Sequence, residues 1–184
     1  MGFIEETGAA QHLRDARITT IYEGTTGIQA NDLVGRKIAR EGGVTIKGWL
    51  QMMAALDAKL AGSKNADIAV IRATLAAGTK AVAECVDYIV ATAGTDPKAA
   101  FSGAVPFLKL MGIVCGGWQM ARSALVAEKK LAEGGGDAAF YKTKITTARF
   151  YVDHVLVQAP GLAATMVSGS AGVMAVSEED MLAA

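Results

Sequence analysis

Aromatic residues are scarce in this chain, at 6% of 184 residues, although hydrophobic residues make up 52% of it. Its apolar surface must therefore come chiefly from Ala, Leu, Val, Ile and Met. Small and straight side chains let helix axes approach closely, so the composition points to helices packed on helices. Excess charge of either sign is missing as well. Eighteen basic residues balance eighteen acidic ones, which argues against a surface built mainly for nucleic acid or an anionic membrane.

Cysteine is nearly absent. Cys85 and Cys115 lie in apolar segments with no CxxC or other metal-ligand spacing. No metal site is expected, and buried, reduced thiols are the expectation. The opening Met1-Gly2-Phe3-Ile4-Glu5-Glu6 has neither the basic nor the apolar region of a signal peptide, so a cytoplasmic location is expected. The nearest approach to a membrane-spanning run, Phe107 to Met120, is interrupted by Lys109 and several glycines, and no integral membrane segment is expected. His12 and His154 are isolated and read as surface or hydrogen-bonded residues rather than ligands. Tyr151, Asp153 and His154 would point in different directions from a helix, so they form no triad.

What is present is helical texture in two regions. Up to about Arg40 the chain is polar and loop-interrupted; beyond Gly42-Gly43 it is Ala-rich. The first region predicts a short helix over 7–17 capped by Thr7, an extended β-branched stretch over 18–21, a turn at 24–27 and a helix over 26–40. Gly42-Gly43 should end that helix. The second region predicts four helices, over 44–61, 66–93, 98–133 and 138–169, joined by short Gly-containing loops. Such loops make sequential helices antiparallel neighbours, hence an up-down bundle. In the third, Phe101, Val105, Leu108, Gly112, Cys115 and Gln119 trace one mostly apolar stripe. Leu110, Val114 and Trp118 cover an adjacent face, so this helix should be central and buried around much of its circumference. Pro97 suits the helix start that it opens; Pro106 and Pro160 predict a kink or break. Met52, Met53, Met111, Met120, Met166 and Met174 read as core filler, and Glu178-Glu179-Asp180 as a solvated helix end.

Against this background the segment Ile21-Tyr22-Glu23-Gly24-Thr25-Thr26-Gly27-Ile28-Gln29 stands apart. It sets a carboxylate between an aromatic residue and a glycine, on a loop that enters a helix. Glycine lets a ligand approach the backbone, and a helix start offers N–H donors to a polar or anionic group. Taken alone, a glutamate in such a turn is more often a solvated residue or part of a cap.

Arg14-Asp15-Ala16-Arg17-Ile18, followed by Ile21-Tyr22-Glu23-Gly24-Thr25 and Ile28-Gln29, resembles the signature near the end of acyl-CoA dehydrogenases. The continuation Thr26-Gly27-Ile28-Gln29-Ala30-Asn31-Asp32-Leu33-Val34-Gly35-Arg36-Lys37 looks most like the branch with an extra C-terminal helical domain, which includes 3-methylmercaptopropionyl-CoA dehydrogenases. The resemblance is specific over residues 1–41 and looser over 42–184. It implies an all-α chain in which 1–41 is the end of the dehydrogenase helical domain and 42–184 a four-helix bundle-like extension. It also implies that the chain starts inside the dehydrogenase domain, lacks most of the flavin site and is inert alone.

Carried over position by position, the resemblance makes Glu23 the catalytic base, Gly24 the glycine beside the acyl thioester, and Thr25, Thr26 and Gly27 the turn that contacts FAD. It implies an acyl-CoA substrate, electron-transfer flavoprotein as electron acceptor and a homo-oligomer. The family's reaction takes a proton from the α-carbon while the β-hydrogen leaves as hydride. A carboxylate suits that task when burial raises its pKa toward the working pH. The rival expectation, from another class, is a stand-alone helical interaction or oligomerisation module that keeps a relic loop.

Overall fold

A computed structural model describes residues 4–21, 24–134 and 136–183. Among them every regular element is helical and no strand is present. The long helices are α3 (Val44–Ala61), α4 (Ala66–Thr92), α6 (Ala104–Ala132) and α7 (Ala138–His154). Shorter ones are α1 (Ala9–Arg17), α2 (Thr26–Asp32), α5 (Pro97–Ser102), α8 (Ala159–Val167) and α9 (Glu178–Ala183). Side-chain caps start three of the helices: Asn65 accepts from the Asp67 amide, Asp96 from Ala99, and Asp137 from Ala139 and Phe140.

Helices α3, α4 and α6 run up, down and up, and α7 with α8 completes the fourth column. Helices α4 and α6 form the middle of the packing. Ile68, Ile71, Val82, Val86 and Ile89 of α4 and Phe107, Leu110 and Val114 of α6 are wholly buried. Glycines bring the columns together. A Cβ on Gly117 would lie 2.7 Å from Leu156, and one on Gly78 would lie 3.0 Å from the same side chain. Gly116 similarly admits the Tyr151 ring, whose hydroxyl donates to the Ile113 carbonyl at 3.1 Å. Ion pairs tie the outer edges, with Arg72 on Asp57 (2.7 and 2.8 Å) between α4 and α3, and Arg149 on Asp67 (2.9 Å) between α7 and α4.

Several boundaries differ from the sequence reading, each for a local reason. Gly8, at φ 75°, starts α1 in place of Thr7, which instead closes a 3-10 turn, Glu5–Thr7, with its hydroxyl donating to the Ile4 carbonyl. Ile18–Thr20 is a 3-10 turn and not extended, because the Thr19 hydroxyl donates to the Ala16 carbonyl and prolongs the helical path. The expected helix over 26–40 is α2 followed by a π-helical turn, Leu33–Ile38, and a 3-10 turn, Ala39–Glu41. Ala30, Val34 and Ile38 then all reach zero exposure in the bundle core.

The expected third helix breaks at Gly103, between α5 and α6, and Pro106 causes no kink. Proline there occupies the first turn of α6, where its missing amide has no intrahelical acceptor to lose. The break comes from packing, since a Cβ on Gly103 would stand 2.7 Å from the Met166 Cα and 2.8 Å from its carbonyl oxygen. The fourth helix does break near Pro160, with a 3-10 turn, Leu156–Gln158, leading into α8. On α6 the Val105, Gly112 and Gln119 stripe faces outward, and the core takes the neighbouring Leu110 and Val114 face. Met53, Met111 and Met166 fill the core, whereas Met52 and Met174 are exposed. Length and hydropathy alone would allow α6 to cross a membrane; its buried face is spent on the bundle.

Both thiols are free; Cys85 is buried and Cys115 half-buried. Burial, with Glu84 adding a smaller like-charge effect, pushes the Cys85 thiol from its ordinary value near 9 up to about 11. A raised folded pKa means that the fold favours the protonated thiol. This stabilisation is complete below about pH 9 and is lost as the pH rises toward 11. Native chain at pH 8 should therefore leave Cys85 unreactive to a thiol titrant until denaturant is added. Rapid native modification of Cys85 would contradict this account of its burial.

Two glycines of one region test the packing. Gly103→Ala should lower stability by about 1–3 kcal/mol, because Met166 backbone stands in the way. Gly112→Ala, inside α6 with open space around it, should raise stability by roughly 0.5–1 kcal/mol. Urea unfolding of the two variants gives the signs directly.

Candidate functional site

The loop singled out in the sequence lies between the 3-10 turn Ile18–Thr20 and α2. Tyr22 and Glu23 lie outside the described residues. The positions that follow are defined by backbone chemistry. Gly24 sits at φ 101°, in the region that side-chain-bearing residues avoid. A Cβ there would also meet the Gln29 side-chain nitrogen at 2.6 Å and Ile28 at 3.5 Å. Conformation and space thus both require glycine next to Glu23.

Thr25 is the N-cap of α2, extended at φ −68° and ψ 169°. Its hydroxyl accepts a long bond from the Ile28 amide at 3.4 Å, and its carbonyl accepts from the Gln29 amide at 3.0 Å. Thr26 and Gly27 are the first two residues of α2, in the turn whose amides have no intrahelical acceptor. Thr25 and Thr26 are exposed and Gly27 is half-buried. The four described candidate positions therefore form one continuous edge, which presents hydroxyls and helix-start amides.

Apolar side chains flank this edge. Ile21 and Ile28, on either side of the loop, are 61% and 59% exposed. Leu13, Arg14, Arg17, Ile18 and Ile21 border an open cleft of about 380 Å³. Arg14 in that wall is held by the Glu5 carboxylate in two bonds, at 2.7 and 3.0 Å. Gln29 is the residue whose position the sequence left unassigned, and it is brought against Gly24. Helical periodicity could have placed it, since the fourth residue after a cap returns to the same side.

Other clusters offer no rival chemistry. Among the described residues no group of three His, Cys, Asp or Glu could hold a metal. His154 stacks on Phe150 at 4.5 Å, and Asp153 is taken by Arg149. The Tyr151 hydroxyl is engaged by the Ile113 carbonyl, and burial raises its pKa.

Comparison with known proteins gives two family matches along the chain. Residues 45–177 match the family described as acetyl-CoA dehydrogenase C-terminal like. Residues 1–38 match the acyl-CoA dehydrogenase C-terminal domain. The chain is 52% identical over 159 residues to 3-methylmercaptopropionyl-CoA dehydrogenase of Ruegeria pomeroyi, covering 86% of this chain and 26% of that protein. It is 36% identical to a butyryl-CoA dehydrogenase of Syntrophomonas wolfei, covering 90% of this chain and 27% of the relative. A broad-specificity linear acyl-CoA dehydrogenase of Mycobacterium tuberculosis is 34% identical, over 84% of this chain and 26% of its own length. The chain thus spans about a quarter of the length of the curated relatives it matches.

The cap is open to a direct test. Thr25→Ala should cost about 0.5–2 kcal/mol locally, and the Ile28 amide should exchange with solvent correspondingly faster, while amides in α4 and α6 keep their rates. Unchanged exchange at Ile28 would mean that the 3.4 Å contact contributes nothing to the start of α2.

Proposed function

The chain belongs to the acyl-CoA dehydrogenase family, in the branch with an extra C-terminal helical domain, and from that membership we propose that it is the C-terminal part of a flavin-dependent acyl-CoA dehydrogenase whose catalytic base is Glu23. In this reading, residues 1–41 end the dehydrogenase helical domain and residues 42–184 form the extension. The carrying observation is the backbone beside Glu23. Gly24 at φ 101° and the Thr25 cap of α2 turn the chain sharply into a helix start, as a loop must that presents a carboxylate to a bound thioester.

The fit of a flavin can be judged on the residues present. Thr25, Thr26 and the first-turn amides of α2 supply hydrogen-bonding groups along one exposed edge, which suits one side of a polar, partly anionic cofactor. FAD bound there supplies the hydride acceptor. The chain's own groups do the rest of the work assigned to them. Glu23 takes the α-proton onto a carboxylate oxygen. Gly24, with no side chain, lets the thioester lie against the backbone. Ile21 and Ile28, exposed as they stand, keep water from the carboxylate once the remaining walls close over them, which favours a base of raised pKa.

The exposure of these flanks also supports the view that this segment acts only as part of a longer chain and is inert alone. Acyl-CoA is then the substrate and the trans-2-enoyl-CoA the product. Electron-transfer flavoprotein is the proposed electron acceptor, and the assembly a homo-oligomer.

In the longer enzyme, Glu23→Gln should leave flavin content and acyl-CoA binding near wild type. It should slow anaerobic flavin bleaching by saturating acyl-CoA by about 10²–10⁴-fold. Bleaching at the wild-type rate would remove Glu23 as the base, and loss of flavin would point to a structural role for the loop.

A further inference from the structure

Two surfaces of the chain lack cover, and their chemistries match. The first is the C-terminal segment. Every residue from 171 to 182 is exposed, including Val173, Met174, Val176, Met181 and Leu182, the last at 90%. Helix α9 within it is nonetheless well started. Ser177 Oγ accepts from the Asp180 amide at 3.1 Å and donates to the Asp180 carboxylate at 2.7 Å. Six residues are too few to hold a helix in water without packing. The apolar side of α9 therefore needs a surface to rest on.

The second surface is a groove of about 530 Å³ between α3 and α4. Leu50, Met53, Ala54, Leu60, Leu75 and Ala76 line it. Arg72 and Lys80, set against the single carboxylate of Asp57, leave the lining with an excess of positive charge. Arg72 and Asp57 satisfy each other. Lys80 has only a 3.6 Å pair with Glu84 on an exposed helix face, so it can take a second carboxylate. The C-terminal segment carries Glu178, Glu179 and Asp180 and no cation.

We propose that the C-terminal segment of one copy of this chain docks in the α3–α4 groove of a second copy. Met181 and Leu182 enter between Met53 and Leu75, and Glu178 or Glu179 meets Lys80. A second copy is the occupant because the segment leaves the bundle on the other flank of α4. There the Ser102 hydroxyl donates to the Gly169 carbonyl at 3.1 Å, and the Met174 amide folds back on the Ser170 carbonyl at 2.9 Å. The exposed ridge of Ala76 and Lys80 stands between that exit and the groove. Exchange between two copies is reciprocal, so each segment fills the other's groove and the assembly closes as a dimer. This assembly does not depend on the catalytic reading of Glu23.

Sedimentation of the full 184-residue chain over a range of concentrations tests the proposal. The expected result is a dimer. Lys80→Glu should raise its dissociation constant about tenfold or more, because the groove then repels the acidic segment. Adding Glu178→Lys and Glu179→Lys to that variant should restore association. Met181→Asp with Leu182→Asp, at exposed positions where folding is not at stake, should give monomer. A chain that is monomeric throughout overturns the proposal, whether its segment is solvent-exchanging or docked on its own groove. A dimer insensitive to all of these substitutions overturns it equally.

Discussion

The close approach of α6 to the α7–α8 column is the constraint on which the rest of the architecture depends. It exists because α6 carries glycine where its neighbours press hardest, with Gly103 under Met166, Gly116 under Tyr151 and Gly117 under Leu156. Gly78 makes the same allowance on α4, so Leu156 settles between two helices instead of holding them apart. Dense packing of small and medium side chains follows. A chain with so few aromatic residues can thus still bury Phe107, Leu110, Val114, Ile68 and Ile71 completely.

That same core decides where the loop region sits. Ala30, Val34 and Ile38 are wholly buried in it, and the π-helical turn Leu33–Ile38 brings all three inward at the cost of regular helix geometry. Helix α2 is thereby anchored at its C-terminal end by the bundle and begun at its N-terminal end by Thr25. Gly24 and the residues before it project outward from this anchor. The exposed Ile21 and Ile28 belong to a surface that is only partly built within these residues. This accords with a chain spanning about a quarter of its relatives' length.

Charge has a lesser role inside the bundle. The ion pairs of Arg72 with Asp57 and of Arg149 with Asp67 lie on partly exposed seams, where water screens them. They define which helices are neighbours more than they hold them together. The thiols contribute as small apolar groups, and burial holds both away from the thiolate form.

By itself the sequence determined the class of the fold, the ends of α3 and α4 and the identity of the candidate loop. Those features are written locally, in apolar periodicity, in glycine-bearing connections and in the run Ile21-Tyr22-Glu23-Gly24-Thr25. The breaks within long helical patterns were decided by tertiary packing. Gly103 interrupts one because Met166, far along the chain, stands against it, while Pro106 does no harm at a helix start. Which face of α6 turned inward was settled in the same way, since the stripe through Val105, Gly112 and Gln119 and the stripe through Leu110 and Val114 are both apolar enough to be core. Ile18–Thr20 followed the helix before it rather than its β-branched composition. Local propensity is worth a fraction of a kcal/mol per residue, and the contact of one column with another outweighs it.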